Sequence, residues 1–200
     1  MRIVVIGAMG VIGQAIVKEL SQRHDIVQVG KTRGQYQVDM TDIMQVRALF
    51  DKIDQFDAIV SAAGHIFFGP IKDMTPENFS VGLREKLMGQ INLVLVGQDR
   101  LGAGSSITLT SGVLSHAPIV GASNAATVNS ALEGFVRTAS VELMSRGIRL
   151  NVVSPTITQE TFPKSHLTFV GFDPVPASRV ALAYSRSVEG AETGKEYRVW

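Results

Sequence analysis

The stretch that decides the fold opens the chain, where Met1-Arg-Ile-Val-Val-Ile6 leads directly into Gly7-Ala-Met-Gly10-Val-Ile-Gly13. The apolar run predicts a buried strand, and apolar residues at helical spacing as far as Leu20 predict a helix behind it. A helix that begins at a glycine turn presents unpaired N–H groups and the positive end of its dipole, which together bind a pyrophosphate. The sequence therefore predicts a dinucleotide site at residues 7–13.

The three glycines have separate roles in this prediction. Gly7 makes the turn, Gly10 lets the backbone approach a phosphate, and Gly13 lets the helix pack closely on the strand. A glycine-rich turn in another kind of α/β protein is the alternative. The remaining residues that we expect to contact the cofactor at this loop are Met9, Val11 and Ile12.

Composition narrows the class of protein. The 200 residues are 45% hydrophobic and contain no cysteine, and 19 Lys and Arg against 18 Asp and Glu give a net charge of +1. The apolar runs are strand-sized, well short of the roughly 20 residues of a membrane span, and no basic stripe suggests a nucleic acid. With no secretory leader evident and four scattered histidines, we expect a cytoplasmic protein without a metal, acting on a small molecule.

Strand-like and helix-periodic segments alternate along the chain, as in a parallel sheet covered on both faces. We expect one α/β domain over residues 1–200, a doubly wound Rossmann fold with a mostly parallel sheet of seven strands. Gln159–Pro176 lacks periodicity, and either a lid or a packed loop fits it. The predicted strands are Ile3–Ile6, Ile26–Val29, Gln35–Val38, Ala58–Ser61, Ser106–Thr110, Ile148–Val153 and Glu196–Val199, and the helices after the first are Ile43–Ile53, Pro76–Gln98, Asn124–Ser145 and Pro176–Val188.

Five further short motifs follow the glycine loop along the chain, namely Val38-Asp-Met-Thr-Asp42, Ser61-Ala-Ala-Gly64, Ile107-Thr-Leu-Thr-Ser-Gly112, Arg149-Leu-Asn-Val-Val-Ser-Pro-Thr156 and Glu192-Thr-Gly-Lys-Glu196. Together, the six motifs in this order resemble the short-chain dehydrogenase/reductase family almost from end to end. The glycine loop is spaced GxxGxxG, whereas GxxxGxG is commoner in that family. The resemblance implies that Asp39 and Met40 contact adenine, that Ala62, Ala63 and Gly64 line the adenosine ribose, and that Pro155, Thr156 and Ile157 contact nicotinamide.

The catalytic residues depart from the family pattern. Aligning Leu132-Glu-Gly-Phe135 with the helix after the family's Tyr-x-x-x-Lys puts Ala125 at the tyrosine and Asn129 at the lysine. Ala125 cannot donate a proton to a developing alkoxide. Loss of general acid catalysis lowers a rate by roughly two to four decades. Asn129 can still orient a ribose or a water molecule, and we count it among the cofactor-binding residues.

Three residues are candidates for the missing chemistry. Lys86 falls on or near the family's helix-borne asparagine, and either a proton donor or a solvated surface lysine fits it. His116, on the loop after strand five, carries an imidazole, a group that can exchange protons near neutral pH, but it has no carboxylate beside it in the sequence. Ser111 falls at or next to the family's serine and can hydrogen-bond a substrate oxygen or cap its strand. His65 follows Gly64 and is expected only to line the cofactor pocket.

The segment after strand two indicates which nicotinamide cofactor is bound. In proteins that bind NAD, an acidic residue at this point accepts a hydrogen bond from the free 2′-hydroxyl of the adenosine. This chain instead has Lys31, Thr32 and Arg33, and two cations and a hydroxyl favour the 2′-phosphate of NADP. NADP(H) is therefore preferred over NAD(H), unless this is merely a solvated basic turn.

Together these residues predict an NADP(H)-dependent oxidoreductase with atypical catalytic groups, acting on a small carbonyl or alcohol. The alternative is a non-catalytic NADP(H)-binding sensor or regulatory module. We also expect a homodimer or homotetramer, since the family's long central helices commonly pair and symmetric assemblies are common.

Overall fold

The computed structural model describes all 200 residues and forms a single parallel sheet with helices on both faces. Seven strands and six α-helices alternate along the chain. The strands are β1 (Arg2–Ile6), β2 (Asp25–Gly30), β3 (Tyr36–Gln37), β4 (Ala58–Ser61), β5 (Ser106–Thr110), β6 (Arg149–Pro155) and β7 (Glu196–Val199). The helices are α1 (Val11–Leu20), α2 (Ile43–Ile53), α3 (Pro76–Gly82), α4 (Gly89–Gly97), α5 (Ser123–Met144) and α6 (Ala177–Glu189).

The strand order is β3-β2-β1-β4-β5-β6-β7, and every neighbouring pair is parallel. From β1 the chain proceeds through β2 to β3 at one edge of the sheet. It then returns to the centre, where β4 lies next to β1, and proceeds through β5 and β6 to β7 at the other edge. Ligands of such sheets bind beyond the carboxyl ends of the strands at this reversal, between β1 and β4. The order therefore places the glycine loop at the binding edge.

Two apolar cores lie on opposite faces of the sheet. The larger one contains side chains of α2, α4 and α5, with Phe50 and Leu132 fully buried. The second joins α1 to α6, with Ile16 and Tyr184 fully buried. Because both faces of the central strands are covered, β1 and β4 are nearly continuous runs of apolar residues.

The predicted doubly wound fold is confirmed, with one difference inside the long helix predicted over Pro76–Gln98. Residues Leu83–Met88 wind as a π-helix that joins α3 to α4. A π turn holds an extra residue and commonly marks a functional site. The predicted bounds of the other elements differ mostly by one or two residues, and Gln35–Val38 shortens to Tyr36–Gln37.

Side-chain amides fix this interrupted helix against the sheet. The Gln90 amide donates to the Thr110 carbonyl at 2.9 Å and accepts from the Thr110 N–H at 2.8 Å, so it pairs with the end of β5 as another strand would. Asn92 donates to the carbonyl of Met40 at 3.0 Å. The helix is thereby held at the carboxyl edge of the sheet. None of the helices combines the length and hydropathy that a membrane span requires.

Candidate functional site

The glycine loop forms a cradle that a side chain would close. Gly7 has φ +82°, and a Cβ there would lie 2.6 Å from the Ala62 carbonyl oxygen. A Cβ on Gly13 would overlap the Gly7 carbonyl, whereas one on Gly10 would come no nearer than 3.4 Å to the Gly7 oxygen. Gly7 and Gly13 are thus needed for close packing, and Gly10 leaves the approach open.

The amino end of α1 is free to bind an anion. Gly10 is the N-cap residue and supplies no side chain to the first-turn N–H groups, and no acidic residue lies in that turn. Gln14 holds the loop by donating from Nε2 to the Met9 carbonyl at 3.0 Å. Val11 and Ile12 begin the helix, so their backbone N–H groups face the cradle. These residues fit a pyrophosphate.

A cleft of about 170 Å³ continues from the cradle between the carboxyl ends of β1, β3 and β4. Six of the residues predicted to bind the cofactor meet there, although they come from four separate parts of the sequence. His65 also lines the cleft, as expected, and Glu85 enters it from the π turn. The six are Gly7, Lys31, Asp39, Met40, Ala63 and Gly64.

A cation stands at the edge of this cleft. Lys31 Nζ lies 2.9 Å from Asp39 Oδ2, and the Lys31 side chain is 65% exposed. Hydrogen bonds from Lys31 and Thr41 lower the pKa of Asp39 to about 2. Thr32 and Arg33 are exposed on the turn after β2. Lys31 and Arg33 are therefore both accessible to a ligand.

Lys86 is buried at the centre of the site. It lies on the π turn with 7% of its surface exposed. Its Nζ donates to the Ser111 carbonyl at 2.9 Å and to Asn129 Oδ1 at 2.7 Å. Burial lowers the pKa of the Lys86 ammonium to about 7, although the charge of Glu133 acts in the opposite direction. The surface-lysine alternative for this residue is wrong.

Ser111 and Asn129 meet at this ammonium, and Gly64 admits the lysine side chain. Asn129 Nδ2 donates to the Gly112 carbonyl at 3.2 Å, which fixes the amide with Oδ1 toward the lysine. A Cβ on Gly64 would lie 2.6 Å from Lys86 Cγ. The lysine and the asparagine are thus in contact through their polar ends.

Four buried hydroxyl groups at the carboxyl ends of neighbouring strands have no hydrogen-bond partner. Ser61 ends β4, Ser111 follows β5, Ser154 lies near the end of β6, and Thr156 follows β6. Buried hydroxyls are normally satisfied, so these four retain unused hydrogen-bonding capacity along the binding edge. Two backbone hydrogen bonds fix the chain after β6. The Thr156 N–H donates to the Val199 carbonyl, and the Val175 N–H donates to the Ile157 carbonyl.

Ala125 lies in an apolar cluster instead of beside a proton donor. It is fully buried on α5, one turn before Asn129. A β-bridge between Thr158 and Val175 joins the two ends of Gln159–Pro176, the segment predicted as a lid or a packed loop. Two phenylalanines of this segment, Phe169 and Phe172, pack against the cluster. We call the apolar cluster the group Val113, Leu114, Ala122 and Ala125 with the partly buried Ile66, Ala117, Ile119, Phe169 and Phe172.

His116 lies in a different cluster from Lys86. Its Nε2 is 2.8 Å from Glu196 Oε1 and 3.3 Å from Glu133 Oε2, and its ring lies against Trp200 with centroids 5.4 Å apart. Both carboxylate partners are remote in sequence, so the residues around His116 could not indicate them. Each of the three side chains offers one atom that could bind a metal, and these atoms lie within 4.8 Å of one another. The absence of a metal stays a prediction.

Known proteins resemble the chain along its whole length. A family model described as enoyl-(acyl carrier protein) reductase matches residues 5–185. The crystal structure of the protein lin1944 from Listeria innocua is 42% identical with a TM-score of 0.97, and the match covers 100% of both chains. A small-chain dehydrogenase solved in complex with NADPH is 27% identical with a TM-score of 0.86, over 100% of this chain and 96% of that one.

A curated relative matches a shorter region. The 2,3-dihydro-2,3-dihydroxybenzoate dehydrogenase of Escherichia coli (strain K12) is 28% identical over 127 residues, which cover 60% of this chain. The match spans 51% of that relative's length.

Proposed function

The chain belongs to the short-chain dehydrogenase/reductase family of oxidoreductases, and from this premise we propose that it transfers hydride between NADP(H) and a small carbonyl or alcohol substrate, with Lys86 as the cationic group of the active site. The buried Lys86 ammonium, held between Ser111 and Asn129, is the observation that carries the proposal. A buried lysine with a lowered pKa and a place at a binding edge is a typical functional group.

The cofactor part of the proposal rests on the cradle and the cleft. The free amino end of α1 would hold the pyrophosphate, and Asp39 and Met40 would lie beside the adenine. Thr156 has a buried, unpaired hydroxyl available for the nicotinamide end. When bound, the nicotinamide supplies or accepts the hydride. The chain's own residues hold the cofactor and set the charge around the reacting carbonyl.

NADP(H) is the proposed form because Lys31 and Arg33 follow β2, where the 2′ group of a bound adenosine would lie. Lys31 and Arg33 are exposed, and an oxygen of the 2′-phosphate can take the place of the Asp39 carboxylate on Lys31. Titration calorimetry should show NADPH binding at least tenfold tighter than NADH, about 1.4 kcal/mol. Alanine at both residues should remove this difference. Equal affinities in the wild type would contradict the cofactor proposal.

Lys86 is proposed to stabilise the negative charge that develops on the substrate oxygen and to return a proton to it. A lysine with pKa about 7 is near the optimum for proton exchange at neutral pH. His116 is a weaker candidate because Glu133 and Glu196 already engage its Nε2. Ser111 would hydrogen-bond the substrate oxygen through its unpaired hydroxyl.

Substitution of Lys86 tests this role. Lys86→Met should lower kcat/KM by roughly a hundredfold or more while NADPH affinity changes by less than threefold. His116→Ala provides the comparison, and it should keep most of the activity. Equal losses of kcat/KM in the two variants would contradict the role proposed for Lys86.

The second candidate function is cofactor binding without catalysis, as in a sensor of the NADP(H) pool. The residue in its favour is Ala125, which the motif alignment puts at the family's tyrosine and which carries only a methyl group within the apolar cluster. Tight NADPH binding without oxidation by any aldehyde, ketone or quinone would favour this function over the first.

A further inference from the structure

Glu85 brings a second carboxylate into the cleft that is proposed to hold the adenine. The residue lies on the π turn directly before Lys86, and it lines the cavity of about 170 Å³ together with Asp39, which follows β3. These two are the only acidic residues among those that line the cleft, and Lys31 is the only lysine or arginine. The walls of the cleft thus carry two carboxylates and one ammonium group.

The two carboxylates differ in how many hydrogen bonds the protein already gives them. Asp39 Oδ1 accepts from the Thr41 N–H at 3.1 Å and from the Thr41 hydroxyl at 2.8 Å, and Lys31 Nζ lies 2.9 Å from Asp39 Oδ2. Glu85 has a single partner, Arg84, whose Nη2 donates to Oε1 at 3.2 Å. The Arg84 side chain is 61% exposed, and a pair so exposed to water is weak. The Glu85 carboxylate therefore retains acceptor capacity on the wall of the cleft.

Two carboxylates beside a purine distinguish one exocyclic group from another. An ionised carboxylate only accepts hydrogen bonds, and the exocyclic amino group of adenine offers two N–H donors. Hypoxanthine has a carbonyl oxygen in place of that amino group. Its oxygen would meet a carboxylate oxygen with no hydrogen atom between them, which leaves both acceptors unsatisfied. A cleft with this lining therefore favours adenine.

We propose that Glu85 determines the specificity of the cofactor site for the purine, because its carboxylate accepts a hydrogen bond from the exocyclic amino group of the adenine. This inference rests on the proposed NADP(H) function. Asp39 and Glu85 would each accept one of the two amino N–H groups. Lys86, the next residue of the π turn, donates to Asn129. One turn of the chain would thus serve both the recognition of the adenine and the proposed chemistry.

Calorimetry with two dinucleotides tests the role of Glu85 without any turnover. NADPH and the reduced form of nicotinamide hypoxanthine dinucleotide phosphate differ only in the purine, so the contributions of the 2′-phosphate and of the glycine loop cancel in the ratio of their Kd values. We expect the wild type to bind NADPH about thirtyfold tighter or more. In Glu85→Gln this ratio should fall about tenfold, because a side-chain amide can rotate and donate to the carbonyl oxygen of hypoxanthine.

Two control variants should keep the wild-type ratio of Kd values. Arg84→Met removes the partner of Glu85, and Glu142→Gln makes the same change of side chain at an exposed position of α5 outside the cleft. Equal Kd values for the two dinucleotides in the wild type, an unchanged ratio in Glu85→Gln, or an equal fall in Arg84→Met would overturn this inference and leave the proposed function in place. Failure of the wild type to bind either dinucleotide would instead overturn the proposed function.

Discussion

Replacing the buried lysine should change how the stability of the protein depends on pH. An unfolded lysine has a pKa of about 10.4, whereas burial lowers that of folded Lys86 to about 7. Between these values the unfolded chain binds more protons than the folded one, so the free energy of unfolding rises with pH. The destabilising effect of the buried charge is greatest below pH 7 and is relieved as pH approaches 10.

The size of the effect follows from the two pKa values. The limiting slope is about 1.4 kcal/mol per pH unit, and deprotonation is incomplete near pH 7, so the gain from pH 7 to pH 9 is about 2 kcal/mol. Lys86→Met should lack this gain. The variant also loses the hydrogen bonds to Ser111 and Asn129, which changes its free energy of unfolding by the same amount at every pH.

Urea denaturation at pH 6, 7, 8 and 9 gives the free energy of unfolding of the wild type and of Lys86→Met at each pH. Subtracting one from the other cancels the pH dependence due to all other titratable groups. Lys52→Met is the matched control, because Lys52 is exposed near the end of α2, and its curve should follow the wild type. Parallel curves for wild type and Lys86→Met would refute the reasoning, since a desolvated ammonium must produce a difference.

Three further outcomes are expected. Gly13→Ala should abolish NADPH binding in calorimetry because its Cβ would overlap the Gly7 carbonyl, whereas Gly102→Ala, with no atom within 4 Å of the added Cβ, should bind normally. Ala125→Tyr should lower the free energy of unfolding by about 1–3 kcal/mol through overpacking, and an unchanged urea midpoint would mean that the apolar cluster has room for the ring. Light scattering at micromolar concentration should give the mass of a dimer or tetramer, and a monomeric mass would contradict the proposed assembly.

The sheet could be predicted from the sequence because its strands are buried on both faces. Such strands are short apolar runs, as at Ala58–Ser61, and the glycine loop fixes where the first helix begins. The short β3 is harder, because the exposed residues around Tyr36 provide little apolar pattern.

The site was predictable only in part. The residues of the cleft follow from motifs at strand ends, which meet because the strands are parallel. Leu83, Lys86 and Gln90 share a helical face by spacing, a signal that could have indicated the burial of the lysine. Nothing in the local sequence indicates that His116 pairs with Glu133 and Glu196, because those contacts depend on the packing of distant elements.

The position of the Lys86 ammonium depends on the one extra residue that the π turn contains. A π turn holds one residue more than an α-helical turn, so deleting Leu87 would let α3 and α4 merge into one regular helix without the bulge that carries Lys86. Gln90 would stay fixed to β5, and Lys86 would swing away from Asn129. The deletion would thus separate this cation from Asn129 without a change to the residues of the glycine loop or the sheet.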